Sequence, residues 1–389
     1  MRVGRLKYFL FTVIVLSMVM CRKPYEPRAI KASNHFLAVD GFINTGVFTT
    51  TTIILSRSLN LLDSLTNLPE LNAQVQIQSA NGAAFPLIDT GFNGIYVSFQ
   101  LNLDPSQKYQ LSVTTSDGNK YLSDLVTPQP APPIDSLNWE VVPDPTTGTE
   151  RVNIYANAHD QTNNTRYYRW DYLETWQHHA NLETFWGLKD SLEYPISPDE
   201  STYNCWTSDS SASIILGTSI ALSSDVISHA LVASFLQNDP KMDVDFSILV
   251  RQYPLSFDAY KYWLTVQKNS QSLGGLFDLQ PSQINGNMHS VTNPNDPVFG
   301  YVSASSVQEK RLFISNRSLP GWQSAQPYNC PIDIVQSNPG NALVWSYPDP
   351  RYQLWYYVSG PPPLMKITFK ECLDCRFQGG TNVKPTFWQ

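Results

Sequence analysis

Charge is scarce in this sequence. Lys, Arg, Asp and Glu make up 15% of its 389 residues, well below the roughly one quarter usual for soluble domains. The net charge is −7, with no dense basic run. A nucleic-acid backbone is held by a Lys/Arg footprint, so nucleic acid is not an expected partner. Beyond Cys21 no apolar run is long enough to cross a membrane as a helix. Catalytic signatures are missing too: there is no Gly-x-Ser-x-Gly elbow, no His-Glu-x-x-His and no P-loop. No enzyme, catalytic residue or cofactor is expected from this chain.

Metal ligands are equally thin. His178 and His179 lie near Glu174 and Glu183, but neighbours on a strand point to opposite faces and do not share one ion. His159-Asp160 reads as a strand-end turn. Asp190, Glu193, Asp199 and Glu200 offer oxygens at no EF-hand spacing and read as a solvated loop. No metal is expected.

What the chain has is Ser, Thr, Asn, Gln, Pro and aromatics, with an apolar fraction of 42% that suffices for real cores. Branched and aromatic side chains suit pleated, half-buried surfaces. The expected fold is mainly β. Its length fits two domains better than one.

The start reads as an export signal over residues 1–20. Arg2, Arg5 and Lys7 precede the apolar run Tyr8–Met20, which is short for a span and right for a signal core. Cys21 follows at once and resembles the acylated first residue of bacterial lipoproteins, although Met18 and Met20 stand where that pattern has Leu and a small residue. Residues 21–34, polar with two prolines, read as a lipidated tether. Four cysteines remain: Cys205, Cys330, Cys372 and Cys375. An even number in an exported chain implies two disulfides. Three pairings are open, with the small Cys372–Cys375 ring disfavoured.

From His35 the texture becomes FLAVDGFI, TTTTIILSRS, AQVQIQS, GIYVSFQLNL and YQLSVTTS, separated by Asp-Gly, Asn-Gly and Asp-Pro turns. Alternation such as Val75/Ile77 and Tyr109/Leu111/Val113 marks strands with one buried face. Residues 35–127 therefore read as an immunoglobulin-like β-sandwich. Pro128–Pro133 reads as a stiff junction, and residues 134–389 as a larger β-rich domain with at least one helix. That helix starts at Ser256, carries Phe257, Tyr260, Trp263, Leu264 and Gln267 at helical spacing, and ends at Gly274-Gly275.

Aromatics crowd at Tyr167, Tyr168, Trp170, Tyr172, Trp176, Phe185 and Trp186, and again at Tyr352, Trp355, Tyr356 and Tyr357. Alternation sends half of each set to a core; the other half either packs in a second core on the opposite face or forms a binding surface. Trp170, Trp176 and Trp186 are the first partner-binding candidates. The C-terminal Phe387-Trp388 is the second.

Four pieces occur in order: Pro24-Tyr25-Glu26-Pro27 with Val39-Asp40-Gly41; Gln252-Tyr253 leading to Ala259-Tyr260 and Tyr262-Trp263; the stretch from Gly275-Leu-Phe-Asp278 to Pro297-Val-Phe-Gly-Tyr301; and Cys372-Leu-Asp-Cys-Arg376 with Lys384-Pro385 and Phe387-Trp388. Together they resemble the Bacteroidota lipoproteins catalogued as domain of unknown function 4249. The resemblance implies a lipid-anchored outer-membrane protein, on the cell surface or the periplasmic face, associated with TonB-dependent receptors. It supplies no catalytic residues. The expected function is docking on an outer-membrane β-barrel, either a TonB-dependent transporter or an assembly or export complex. The rival expectations are direct binding of glycan or peptide cargo, and a hydrolase whose site is not visible in the sequence.

Overall fold

The period-two texture does become strands. Val75 and Ile77 face inward from Gln74–Ser79, as do Tyr109, Leu111 and Val113 from Tyr109–Thr114. The computed structural model describes residues 35–59, 68–189, 192–271, 284–319, 321–322, 328–336, 351–358 and 364–388. The expected signal peptide, Cys21, the tether and the Gly274-Gly275 helix end lie outside these residues.

The chain begins with β1 (Leu37–Gly41), β2 (Ile43–Asn44), β3 (Thr52–Arg57), β4 (Gln74–Ser79), β5 (Ala84–Asp89), β6 (Ile95–Ser98), β7 (Tyr109–Thr114) and β8 (Lys120–Ser123). It continues with β9 (Ile134–Pro143), β10 (Glu150–His159), β11 (Tyr167–His179), β12 (Trp186–Lys189), β13 (Leu192–Pro195), β14 (Asn204–Ser210), β15 (Ile215–Thr218), β16 (Val226–Leu236) and β17 (Asp245–Leu255). Helix α1 (Phe257–Gln271) is followed by β18 (Met288–Ser290), β19 (Ala304–Ser305), β20 (Gln308–Ser315), β21 (Asp333–Gln336), β22 (Tyr352–Val358) and β23 (Leu364–Phe369).

The first sheet follows a single hydrogen-bonded path, β1-β3-β6-β5-β4-β7-β8-β18. Inward residues of successive strands, among them Leu37, Leu55, Tyr96, Ile77, Leu111 and Tyr121, meet in one cluster. The sheet therefore curls around its own core. Its two facing layers are parts of one sheet. Pro86 is tolerated inside β5 because pairing with β6 begins only at Leu87.

The expected limits of this unit need correction. It does not close on residues 35–127 alone. Segment 287–306 crosses the gap between the two sheet edges. Met288–Ser290 pairs with β8. The Phe299 N–H then donates to Leu37 O at 2.9 Å, and Val39 N–H donates to Phe299 O at 2.8 Å. Ala304–Ser305 finally runs parallel to β2. Met288, Val298, Val302 and Ala304 share the first core, which residues 35–127 leave open at its edges.

Two glycines permit this approach. Gly300 has φ +122°, and a Cβ there would lie 2.1 Å from Val39 O. A Cβ on Gly286 would lie 1.8 Å from Gly300 O. Neither obstacle is a side chain that can turn away. Gly300→Ala is expected to destabilise the protein by at least about 1 kcal/mol, read as a lower urea midpoint at unchanged slope. An unchanged midpoint would show that the strap is not pressed against β1.

Two face-to-face sheets are found instead in the second unit. One is β16-β10-β9, and the other is β14-β11-β17-β20 with β15 also on β11. Val152, Ile154, Trp170, Phe235, Phe246 and Ile248 fill the space between them. At one margin the Lys310 ammonium closes the sandwich by donating to Ile134 O at 3.1 Å and Asp135 O at 2.6 Å. Behind Asp160 the turn is capped as expected: its carboxylate accepts from Thr162 N and Thr165 N, each at 2.9 Å.

The proline run lies between the units and is held on both sides. Gln129 N–H donates to Ala304 O at 2.9 Å, and the Gln252 amide donates to Pro132 O at 2.8 Å. Across the same junction Phe42 packs edge-on against Tyr253 with ring centroids 5.1 Å apart, and beside it Arg169 lies against the rings of Tyr253, 4.6 Å away, and Trp263, 4.5 Å away. Helix α1 brings Trp263 there. Ser256 Oγ accepts from Ala259 N at 3.2 Å at its start, as a capping serine should, and Ala259 is buried against the sheet.

Candidate functional site

Cys372 and Cys375 sit on two short 3-10 turns, Lys370–Cys372 and Cys375–Gln378. Three positions apart, they aim at different partners. Cys375 reaches Cys205 on β14 with Cα atoms 5.7 Å apart, and Cys372 reaches Cys330 at 5.9 Å. Both separations are ordinary for disulfides. Two bridges were expected without a Cys372–Cys375 ring, and that is the arrangement found. The turns staple β14, the segment before β21 and the C-terminal stretch into one module.

Backbone bonds extend the module to the aromatic sequences. Leu182 N–H donates to Cys372 O at 2.9 Å, and Cys375 N–H to Thr202 O at 2.9 Å. Segment 182–187 then lies along β22. Trp355 Nε1 donates to Glu183 O at 2.8 Å, Thr184 Oγ1 to Trp355 O at 3.2 Å, and Gln353 Nε2 to Trp186 O at 3.2 Å. The two crowded aromatic stretches meet here, although their sequence positions lie far apart. Trp186 packs edge-on against Tyr357 with ring centroids 4.8 Å apart. Around this contact Phe185 is 65% and Tyr356 55% exposed. Tyr194, Ile332, Ile334 and Leu364 are also exposed, and Lys366 lies 5.6 Å from the Trp355 ring. Strand pairing sets Ile334 and Tyr356 on either side of Lys366, so these three share one face, while Tyr357 with Trp186 turns to the other. The result is an exposed aromatic and aliphatic surface along the seam between segment 182–187 and the β21-β23-β22 sheet.

The expected partner-binding residues divide. Trp186 and its neighbour Phe185 belong to this surface. Trp170 does not: it is 1% exposed, stacks on Tyr168, and donates from its indole N–H to Gln252 Oε1 at 3.0 Å. Its inward position on β11 makes it core. Trp176 packs against the same core, with the Lys241 ammonium, itself paired with Glu174, 5.0 Å from its ring. Trp388 is buried against Trp206 and Phe313, at centroid distances of 6.3 Å and 5.6 Å. Phe387 is partly exposed and covered on one face by the Arg311 guanidinium at 3.7 Å. The C-terminal pair is thus a latch on the sheet and not an open anchor. Tyr194, Ile332, Ile334 and Leu364 were missed. For the isoleucines, the alternation in Ile332-Asp333-Ile334 was the available signal.

No cluster of His, Cys, Asp and Glu with metal-binding geometry occurs among the described residues. His178 hydrogen-bonds Thr207 Oγ1 at 3.0 Å, while His179 stacks on Tyr203 at 4.6 Å. Burial holds both imidazoles below their ordinary pKa. A pH dependence follows. Below about pH 6.5 the unfolded chain takes up protons that the folded chain resists, so stability falls as pH drops through that value. Asp160, pushed down to about 2, enters only lower, whereas Glu174, raised by burial, and His159, raised by its hydrogen bond to Asp135, act in the opposite sense as pH falls. Between pH 7 and pH 5 the His178→Gln, His179→Gln variant is therefore expected to lose less melting temperature, or gain more, than wild type. An equal slope in the double variant would contradict this assignment.

A protein-family model described as a domain of unknown function (DUF4249) matches residues 22–311. The chain belongs to the DUF4249 family. The match takes in both sheet-bearing units up to β20 and the Phe185-Trp186 half of the aromatic surface. The DUF4249 match ends before the Cys330, Cys372 and Cys375 module, and the fourth sequence piece lies beyond it. None of the curated proteins matches the chain. Among the described residues no helix is long and apolar enough to cross a membrane.

Proposed function

We propose that this DUF4249 protein is a non-enzymatic, lipid-anchored outer-membrane protein that docks on an outer-membrane β-barrel through the stapled aromatic surface. The observation carrying this reading is the seam of segment 182–187 on β22, which packs Trp186 on Tyr357 and leaves Phe185 and Tyr356 largely in water. Interfaces draw their energy from a few such anchors on preorganised supports. Ile332, Ile334 and Leu364 favour a protein over a glycan, because branched aliphatics give a sugar ring no stacking face. Anchoring through Cys21 raises the effective concentration at the membrane, so a modest interface is sufficient. The Cys205–Cys375 and Cys330–Cys372 disulfides suit an oxidising, exported setting.

The test is the paired variant Phe185→Ala, Tyr356→Ala in tagged protein purified from envelopes. Both side chains are exposed, so unfolding should change by no more than about 0.5 kcal/mol. Loss of two anchors should weaken barrel co-purification by about 2 kcal/mol or more. Undiminished capture of the barrel by the double variant would rule this surface out.

A further inference from the structure

One end of the first sheet carries a second apolar feature, built differently from the docking surface. The loop joining β2 to β3 presents Val47 and Phe48, and the neighbouring segment after β6 presents Phe99. They are 71%, 67% and 67% exposed. The two segments are joined by Thr49 N–H to Leu101 O at 3.2 Å and Leu101 N–H to Thr49 O at 2.8 Å. Neither residues 42–52 nor residues 92–103 contain a Lys, Arg, Asp or Glu.

The turn is held in shape. Asn44 Oδ1 accepts from Gly46 N at 3.0 Å, Thr49 Oγ1 donates to Gly46 O at 3.0 Å, and Thr51 Oγ1 accepts from Asn44 N at 2.9 Å. Phe48 stands at its apex with φ +51°. A bulky side chain is uncommon in that left-handed region, where Asn or Gly is easier to hold. Folding alone therefore disfavours Phe at this site. Conformational strain together with exposure of a ring to water calls for a use outside the fold.

We propose that Val47, Phe48 and Phe99 form a membrane-contact tip that inserts into the interfacial layer of a lipid bilayer. The feature is exposed, has no charge within residues 42–52 and 92–103, and offers apolar and aromatic groups beside threonines, which is the chemistry of an interfacial insertion and not of a charge-matched protein contact. The reach is adequate. His35, where the described chain begins, lies at the opposite end of the strand run 35–44, about 30 Å away at strand rise. Residues 22–34 span about 43 Å when extended. An anchor upstream and the tip can therefore rest on the same bilayer. The proposal does not depend on the docking surface or on acylation.

The test is vesicle flotation of residues 22–389, which contain every described element and lack Cys21. Phosphatidylcholine vesicles and vesicles containing phosphatidylglycerol are used separately. The chain is expected to float with both to similar extents, because the tip bears no cation. Phe48→Asn should lower the bound fraction about tenfold while leaving the melting temperature unchanged or raised, since Asn accepts the left-handed backbone more easily. Val47→Ser with Phe99→Ser should also reduce flotation. The proposal is overturned if wild-type protein does not float, if it floats only with the anionic vesicles, if Phe48→Asn floats like wild type, or if Phe48→Asn lowers the melting temperature as a packing residue would.

Discussion

Cys205→Ala combined with Cys375→Ala is expected to lower the unfolding free energy by about 2–5 kcal/mol. The bridge joins residues 170 apart in sequence, against 42 for Cys330–Cys372. On the chain-entropy account the longer loop restrains the unfolded chain more, by about 1 kcal/mol. The native consequence is also larger. Cys205 and Cys375 are both fully buried, and their bridge ties β14 to the turn from which the aromatic module is hung. Removing both cysteines avoids a free thiol. Urea unfolding of this pair, of the Cys330→Ala, Cys372→Ala pair, and of reduced wild type should rank the losses. The reduced protein should be weakest, then the Cys205 pair, then the Cys330 pair. A Cys205 pair as stable as wild type would mean that the bridge adds nothing to the folded chain.

Trp170→Ala should cost about 3–5 kcal/mol. The ring fills the space between the two sheets of the second unit and lies so close to Gly217 that a Cβ there would meet it at 2.7 Å. Its indole N–H satisfies Gln252, whose amide reaches Pro132 O across the junction. Trp170→Phe keeps most of the apolar contact but orphans a buried amide oxygen, at about 1–3 kcal/mol. Both variants should expose themselves as early thermal melting. Retention of the wild-type melting temperature by Trp170→Ala would remove this residue from the core.

Trp170 also shows what the sequence made legible and what it did not. Alternation marked β11 as a strand, and Tyr168, Trp170 and Tyr172 as an aromatic row. Which members face the core depends on the sheet packed against them, and β16, β10 and β9 come from other parts of the chain. The N-terminal strands β1, β3, β4, β6 and β7 were readable because each is a local pattern closed by a local turn. The capped start of α1 was readable for the same reason. Strand β18 was not, since Met288–Ser290 has little pattern of its own and becomes a strand by completing an edge that lies some 165 residues earlier, as the His289–Asp124 contact records. Such long-range completion also explains why a boundary at Pro128–Pro133 fits the composition yet does not divide the sheets. Disulfide number was legible from the cysteine count. The pairing needed the two turns that point Cys372 and Cys375 apart. In the candidate site, Phe185 and Trp186 were visible as part of one crowd and Tyr356 as part of another. Their meeting was not, because the bonds from segment 182–187 to β22 join positions with no shared local signal.

The docking proposed here brings an outer-membrane β-barrel against the stapled aromatic surface. Site-specific photocrosslinking in intact cells tests it most directly, with the crosslinker placed at Tyr356, at Phe185 and, as a control, at the exposed Leu236 on β16. Tyr356 and Phe185 should each give one discrete adduct containing the same outer-membrane β-barrel, and Leu236 should give no such adduct. Absence of an adduct at Tyr356 and Phe185, or the same barrel captured equally from Leu236, would contradict it.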